Sequence, residues 1–110
     1  MPGEAASIRV ALTTVGSLEE GRRMARVLVE RRLAACVNLV PNLTTVYRWK
    51  GAVEEAEEVL LVMKTTEDQL GALEAAVREL HSYEVPEFLA LRVEAASRPY
   101  LEWLVDSVEQ

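Results

Sequence analysis

The hydrophobic positions along this chain switch between a period of two, typical of strands, and a period of about 3.6, typical of helices. Alternation of apolar and polar residues predicts strands over residues 8–14 and 88–93, and longer β-rich runs cover residues 36–49 and 52–64. Because residues 59–63 are continuously apolar, we expect both faces of that strand to be buried. The chain therefore contains four predicted strands.

Three stretches carry apolar residues at helical spacing. The first runs from Ser17 to about Arg32 and the second covers residues 67–80. Both are preceded by a serine or threonine with glutamate or glutamine three residues later, which predicts a capping box at each helix start. A third helix is predicted to begin near Ser97, where Pro99 is tolerated in the first turn.

The two long β-rich runs are predicted to form one hairpin. Only Lys50-Gly51 separates them, and glycine supplies the positive φ that a tight hairpin loop requires. Pro41 cannot donate a hydrogen bond to a strand ladder, so we expect a bulge or an edge position near Pro41-Asn42.

The predicted order of strand, helix, strand, strand, helix, strand defines the fold class. It is the split βαβ (βαββαβ) or ferredoxin-like arrangement of an α+β protein, here with an extra C-terminal helix and a long β-hairpin. At 110 residues, with half of them hydrophobic, the chain is expected to form a single domain over residues 1–110 around one core.

The length of the hairpin predicts association with other copies of the chain. Each arm is about twice the usual strand length of about 5 to 6 residues. Two long helices cover only one face of such a sheet, which leaves the other face for another copy of the chain. We therefore expect an obligate homo-oligomer with a β-rich interface.

Charge and composition exclude two classes of partner. The formal net charge is -6 and the basic residues form no stripe, whereas nucleic acids and anionic membrane surfaces bind clustered lysine and arginine. The third strand also lacks the aromatic residues of RNA-binding ferredoxin-like domains.

No apolar run approaches the roughly 20 residues that span a bilayer, and residues 1–7 lack the features of a signal peptide. Neither a nucleic acid nor a membrane is predicted as a partner.

Cys36 is the single cysteine and cannot form an intramolecular disulfide. Its apolar neighbours predict a buried thiol in a reducing compartment, which indicates the cytoplasm. A core role is the main interpretation of Cys36, and a copper ligand or a nucleophile partnered by His81 are the alternatives. No motif of cysteine catalysis accompanies it, so catalysis through Cys36 is not expected.

The segment of residues 81–87 holds most of the candidate chemistry. It contains the only histidine, His81, together with Glu84 and Glu87, and imidazole and carboxylate suit Cu(II), zinc and similar ions. The alternative is a helix end at which His81 caps the last carbonyls and Pro86 fixes the turn. Because one chain supplies fewer than the usual ligands, the metal hypothesis depends on groups from adjacent subunits.

Three further features carry two interpretations each. Trp49, one residue before the hairpin loop, is expected in an interface or a pocket wall. Lys64 ends the third strand at the start of a helix. Its ammonium and the free backbone amides there are expected either to bind an anion or to have a structural role only. The acidic run of residues 54–58 is expected to be a solvated stretch that prevents edge pairing, with cation binding as the alternative.

With these residues in view, the chain closely resembles the CutA family of divalent-cation tolerance proteins over nearly its whole length. The resemblance rests on a combination of motifs rather than on any one of them. These are Leu33-Ala34-Ala35-Cys36-Val37-Asn38, then Tyr47, Trp49, Gly51, Glu58 and Lys64-Thr65, then His81, Tyr83, Pro86 and Glu87, and finally Tyr100 with Trp103.

The resemblance implies a tight cytoplasmic homotrimer, similar to the PII signalling proteins, that binds divalent cations and above all copper. CutA-like proteins are not established enzymes, so this chain is not expected to be an enzyme. The implied ligand pocket between subunits is lined by Tyr47, Trp49, Lys64, His81, Tyr83 and Glu87. The candidate metal ligands are His81, Glu84, Glu87 and Cys36.

Two departures from the family pattern shape the expected function. Some members carry further cysteines, whereas Cys36 stands alone here, and Ser82 replaces the proline usual after His81. A non-enzymatic, trimeric protein that binds copper or another divalent cation weakly in metal tolerance is therefore the main expectation. The alternative is a PII-like signalling module that senses a small anionic metabolite at the subunit interface.

Overall fold

Four strands and three helices follow one another in the predicted order. The computed structural model describes residues 5–110. Residues 1–7 are predicted to lack the features of a signal peptide, and the first four of them lie outside the described residues. The strands are β1 (Ile8–Val15), β2 (Cys36–Trp49), β3 (Ala52–Thr66) and β4 (Leu89–Arg92). The helices are α1 (Leu18–Glu30), α2 (Leu70–Leu80) and α3 (Arg98–Ser107), with short 3-10 turns at Ala5–Ser7 and Glu67–Gln69.

The strands form one antiparallel sheet in the order β2-β3-β1-β4. β1 lies in the centre, where it pairs with β3 on one side and with β4 on the other. This arrangement of strands and helices is the α+β, ferredoxin-like fold that the sequence predicts. Among the described residues, no helix has the length and apolar content that crossing a membrane requires.

One face of the sheet packs against α1 and α2 to form the main core. Alternate residues of β1 and β3 point to this side, as the period of two requires. Its most deeply buried members are Ala11, Val15, Met24, Leu28, Leu61, Met63, Leu73 and Val77. On β1 this core side carries Ala11, Thr13 and Val15. It is therefore not the side of the apolar Ile8, Val10 and Leu12, whose alternation predicts the strand.

The opposite face of the sheet is only partly covered by the chain itself. α3 packs over one end, where Leu101 and Leu104 form a second buried cluster with Ile8. Beyond α3, Leu89 and Leu91 are 57% and 52% exposed. Leu60 and Val62 of β3 are half-buried on this side, so the predicted burial of both faces of residues 59–63 is only partial within one chain. We call this uncovered surface the open face.

The hairpin of β2 and β3 has the predicted loop and the predicted bulge. Lys50 and Gly51 have φ angles of 51° and 85°, the left-handed pair of a type I′ turn. The ladder shifts register between Val40 and Leu43, and Asn42 within this bulge has a φ of 65°. The bulge lies where Pro41 removes a ladder donor, as the sequence predicts.

The helix starts differ from prediction in two details. The Ser17 hydroxyl accepts from the Glu20 backbone N–H at 3.1 Å, but the Glu20 carboxylate accepts from Ser82 instead of returning to Ser17. Thr66 makes no side-chain cap, because it still pairs with Ile8 in the sheet and a 3-10 turn intervenes before α2. The predicted second capping box is therefore wrong. α3 begins after Ser97 with Pro99 in its first turn, as predicted, and the Ser97 side chain makes no capping hydrogen bond.

Candidate functional site

A cavity of about 550 Å³ opens between the end of β1, the hairpin and the segment that follows α2. Its wall combines carboxylates, aromatic rings and hydroxyl groups, and we call it the acidic cavity. It is lined by Thr14, Thr45, Tyr47, Trp49, Glu54, Glu58, Tyr83, Glu84, Val85, Pro86 and Glu87. Four of these residues are glutamates, and no lysine or arginine is among the described residues that line it.

His81 ties the segment after α2 to the end of β1. Its Nδ1 accepts a hydrogen bond from the Tyr83 backbone N–H at 3.0 Å, so Nδ1 carries no proton in this arrangement. Nε2 therefore carries the proton and donates to the Thr14 carbonyl at 2.7 Å. With 9% of its surface exposed, His81 is a buried residue with both ring nitrogens in use.

Glu20 and Ser82 fix the first turn of the same segment. The Glu20 carboxylate accepts from the Ser82 backbone N–H and from its hydroxyl, both at 3.1 Å. A proline at position 82 has neither donor. The departure from the family pattern at Ser82 is thus accompanied by two hydrogen bonds that α1 makes to this segment.

Tyr83 and Glu58 meet at the wall of the acidic cavity. The Tyr83 hydroxyl donates to Glu58 Oε2 at 2.7 Å, and Glu58 is only 7% exposed. Burial raises the pKa of the Tyr83 phenol well above 10.0, and the hydrogen bond to the Glu58 carboxylate and its negative charge raise it further. The phenol thus acts as the donor to a buried carboxylate.

Tyr47 and Glu54 form a second phenol–carboxylate pair nearer the hairpin tip. Tyr47 is the ladder partner of Glu54, and its hydroxyl donates to Glu54 Oε1 at 3.3 Å. Desolvation, followed by the charge of Glu54, raises the pKa of Tyr47. Trp49 lies two ladder pairs farther toward the turn, on the same face. The Lys50 ammonium is 5.7 Å from its ring centroid.

The structure brings four of the six predicted pocket residues together. Tyr47, Trp49, Tyr83 and Glu87 line the acidic cavity. His81 lies behind this wall, where it holds Tyr83 in place. Lys64 is not among the lining residues, and its ammonium donates to the Asn38 side chain on β2.

The four predicted metal ligands are not brought together within one chain. Glu84 and Glu87 line the acidic cavity, whereas the Cys36 thiol lies 3.6 Å from the Tyr100 hydroxyl of α3. The ladder partner of Cys36 is Lys64, which lies six positions from Glu58 along β3, or roughly 20 Å at about 3.3 Å per residue. In residues 5–110, no three His, Cys, Asp or Glu side chains converge as a metal site. The set therefore does not fit a metal ion within a single chain.

Glu54 and Glu58 are the two carboxylates of the cavity wall that the predicted pocket and metal-ligand sets left out. The acidic run was expected to be solvated, and this is wrong for Glu58, which is buried beneath Tyr83. The hairpin register contained the signal, because counting back from Lys50-Gly51 pairs Tyr47 with Glu54 and places Glu58 on the same face. The contact with Tyr83, which follows α2, gave no signal in the sequence.

Comparison with known proteins assigns the family. A family model described as CutA1 divalent ion tolerance protein matches residues 9–107. The divalent-cation tolerance protein CutA of Thermus thermophilus is 52% identical over 95 residues, which are 86% of this chain and 92% of that protein. The chloroplastic protein CutA 1 of Oryza sativa is 43% identical and the match covers 92% of this chain, but the chain spans only 57% of its length.

A solved structure gives the same assignment. The crystal structure of CutA1 from Oryza sativa matches with a TM-score of 0.93 at 40% identity, over 97% of this chain and 99% of that chain. The matched segment contains β1 through α3, and therefore the acidic cavity. The chain belongs to the CutA1 family of divalent ion tolerance proteins.

Proposed function

We propose that this chain is a non-enzymatic, homotrimeric protein that binds divalent cations weakly and contributes to metal tolerance, with copper as the first cation to test. Its family supports a connection with divalent cations. The observation that carries the proposal is the concentration of four carboxylates around one cavity that no lysine or arginine of the described chain lines. Carboxylate oxygens suit divalent cations, and an uncompensated set of them attracts positive charge.

The proposed ligands are Glu84 and Glu87, completed by groups of a neighbouring subunit. Both side chains are exposed and line the acidic cavity, and neither takes part in a hydrogen bond or ion pair with another described residue. Neighbouring subunits are required, because residues 5–110 of one chain offer no three converging ligands. The proposed affinity is weak for the same reason.

His81 and Cys36 stand outside the proposed ligand set. A metal ion at either ring nitrogen of His81 would replace its hydrogen bond to Thr14 or to Tyr83. We propose that His81 instead positions Tyr83 and the segment that carries Glu84 and Glu87. Cys36 contacts Tyr100 and lies at the far end of the hairpin from the acidic cavity.

The proposed trimer uses the open face. Leu89 and Leu91 are more than half exposed on a sheet that α1 and α2 cover from the other side only. A second copy of the chain buries such a surface in the assembly. The cytoplasm is the proposed compartment, on the basis of one unpaired cysteine.

The alternative of an anionic metabolite is not favoured for the acidic cavity. Its wall holds four glutamates, and the ammonium of Lys64 is bonded to Asn38 outside that wall. An anion in this position would face like charges without a compensating cation from the described chain.

Calorimetric titration with copper(II) tests the proposal. The double variant Glu84→Gln, Glu87→Gln is expected to bind copper at least about tenfold more weakly than the wild type, because two charged oxygen ligands are lost. The matched control is Glu55→Gln, Glu57→Gln, which removes the same charge from exposed positions of β3 outside the cavity wall. This control is expected to bind within a few-fold of the wild type.

Two results would reject this assignment of ligands. Equal copper binding by the wild type and the Glu84→Gln, Glu87→Gln variant would remove both glutamates from the site. An equal loss of copper binding in the Glu55→Gln, Glu57→Gln control would show that overall charge, and not these two side chains, accounts for the affinity.

A further inference from the structure

The acidic cavity combines carboxylates with aromatic rings, which is more than a metal ion requires. Three aromatic side chains line the cavity, those of Tyr47, Trp49 and Tyr83. The apolar side chains of Val85 and Pro86 line it as well. A volume of about 550 Å³ lies within the range of small-molecule pockets, roughly 300–1,000 Å³, and far exceeds that of one ion. The cavity therefore has room and apolar surface for an organic ligand.

Glu58 fixes the charge of that ligand. It is 7% exposed, yet its carboxylate accepts only one hydrogen bond within residues 5–110, from the neutral Tyr83 phenol to Oε2. Oε1 has no partner among these residues, and no lysine, arginine or histidine pairs with Glu58. A buried carboxylate without a counter-charge favours a cationic hydrogen-bond donor in the adjoining cavity.

The aromatic side chains that line the cavity also favour a positively charged ligand. The face of an indole or phenol ring attracts an ammonium group through its quadrupole. Within the chain itself, the Lys50 ammonium already lies 5.7 Å from the centroid of the Trp49 ring. Lys50 is not among the lining residues, so the acidic cavity next to this ring holds no ammonium from the described chain.

A second carboxylate on the same strand extends the site. Glu54 lies four positions from Glu58 on the same face of β3, about 13 Å away at about 3.3 Å per residue. Tyr47 donates to Oε1 of Glu54, which leaves Oε2 without a hydrogen-bond partner among the described residues. Two carboxylates at this spacing, with the Tyr47 and Tyr83 hydroxyls bonded to them, match a linear ligand that has an ammonium group at each end.

We propose that the acidic cavity binds a linear organic diamine or polyamine. One ammonium group donates to Glu58 and the other to Glu54, and the alkyl chain between them packs beside Tyr47 and Tyr83. The ligand class goes beyond divalent-cation tolerance and does not rest on metal binding. The proposed metal ligands Glu84 and Glu87 lie in the segment after α2, and not on the strand that carries Glu54 and Glu58.

Calorimetric titration of the full chain with three ligands of equal length tests this inference. The probes are diaminohexane, hexanediol and adipate, which carry two positive charges, no charge and two negative charges. Diaminohexane is expected to bind saturably and to bind more weakly as salt increases, because the interaction is between charges. Hexanediol and adipate are expected not to bind.

Single-residue variants assign the ammonium positions. Glu58→Gln and Glu54→Gln are each expected to weaken diaminohexane binding by about tenfold or more, since each replaces a charged acceptor by a neutral one. Glu57→Gln and Glu55→Gln are matched controls with the same change of charge on the neighbouring positions of β3, and both are expected to retain wild-type binding. Because Glu54 is exposed, Glu54→Gln keeps the test valid if Glu58→Gln does not fold.

The results separate this inference from the metal proposal. Binding of adipate, absence of diaminohexane binding, or equal effects of Glu58→Gln and Glu57→Gln would overturn the diamine site. Loss of copper binding in Glu84→Gln, Glu87→Gln with diaminohexane binding retained would support both. If copper does not bind but diaminohexane does, the metal proposal is rejected and the diamine site is supported.

Discussion

The hydrogen bond from the Tyr83 phenol to Glu58 makes the stability of the fold depend on the protonation of Tyr83. Burial raises the pKa of the Tyr83 phenol from its ordinary value of 10.0, with additional contributions from the bond to Glu58 and the nearby negative charge of Glu20. The folded state therefore holds the phenol proton more tightly than the unfolded state does. The stability that this difference contributes is complete below about pH 10 and is lost as the pH rises toward the higher folded value.

Tyr83→Phe tests this dependence on pH. The variant is expected to be less stable than the wild type at about pH 8, because it leaves the buried Glu58 carboxylate without its donor. The difference in unfolding free energy between the two proteins is expected to shrink as the pH rises from about 9 to about 11, since only the wild type loses the phenol proton on unfolding there. Urea denaturation over this range measures it.

Tyr47→Phe is the matched control for Tyr83→Phe. Tyr47 also donates to a glutamate, but at the longer distance of 3.3 Å to the exposed Glu54. The pH dependence of its effect on stability is expected to be smaller. A constant difference between wild type and Tyr83→Phe across the alkaline range would contradict the raised pKa of Tyr83.

At the scale of elements, α1 approaches the sheet closely at Gly21. A Cβ atom there would lie 3.0 Å from a methyl carbon of Leu39 and 3.3 Å from methyl carbons of Leu61 and Val15. These distances are shorter than ordinary van der Waals contact, and the three neighbours belong to three different strands. The absence of a side chain at Gly21 therefore sets the distance between α1 and the sheet.

The same substitution in two helices is expected to have opposite effects. Gly21→Ala gains about 1 kcal/mol of helix propensity but meets an overpacking cost of about 1–3 kcal/mol, so we expect net destabilisation. Gly71 lies near the start of α2 with nothing within 4 Å of an added Cβ. Gly71→Ala is therefore expected to stabilise the protein by up to about 1 kcal/mol. Thermal and urea unfolding of both variants checks the two signs, and stabilisation by Gly21→Ala would contradict the close packing.

At the scale of the whole molecule, the hairpin gives the chain an elongated shape. The principal dimensions are 46 by 26 by 23 Å, and the two arms contain 14 and 15 residues. α1 and α2 cover one face of the sheet near its centre, and the open face retains exposed leucines. This combination favours an assembly in which several sheets cover one another.

Leu91→Glu is expected to disrupt that assembly. A charge on this part of the open face would have to be buried without a partner if the trimer formed. Sedimentation equilibrium should give three times the 12.3 kDa chain mass for the wild type and a lower mass for the variant. Val29→Glu, on α1 beside β2 and 39% exposed, is the control and should retain the trimer mass. A wild-type protein of 12.3 kDa, or an unchanged Leu91→Glu assembly, would contradict the use of this face.

The sequence by itself determined the elements and their order. Alternation identified β1, and the Lys50-Gly51 loop fixed the register of the hairpin, because a two-residue turn pairs its flanking residues directly. The bulge at Pro41-Asn42 followed from a missing donor. These features depend on residues close together in the chain, and their periodicity is visible without knowledge of the rest. The motifs also sufficed to identify the family.

Only the tertiary structure decided which side chains meet at the acidic cavity. Tyr83 contacts Glu58 across 25 positions of sequence, and His81 contacts Thr14 across 67. Neither contact has a periodic signature, since it depends on how α2 is oriented against the sheet. Packing of α2 also occupied both nitrogens of His81, and packing of α3 left Cys36 beside Tyr100. Residue types therefore indicated which groups carry chemistry, whereas long-range packing decided which of them share a site.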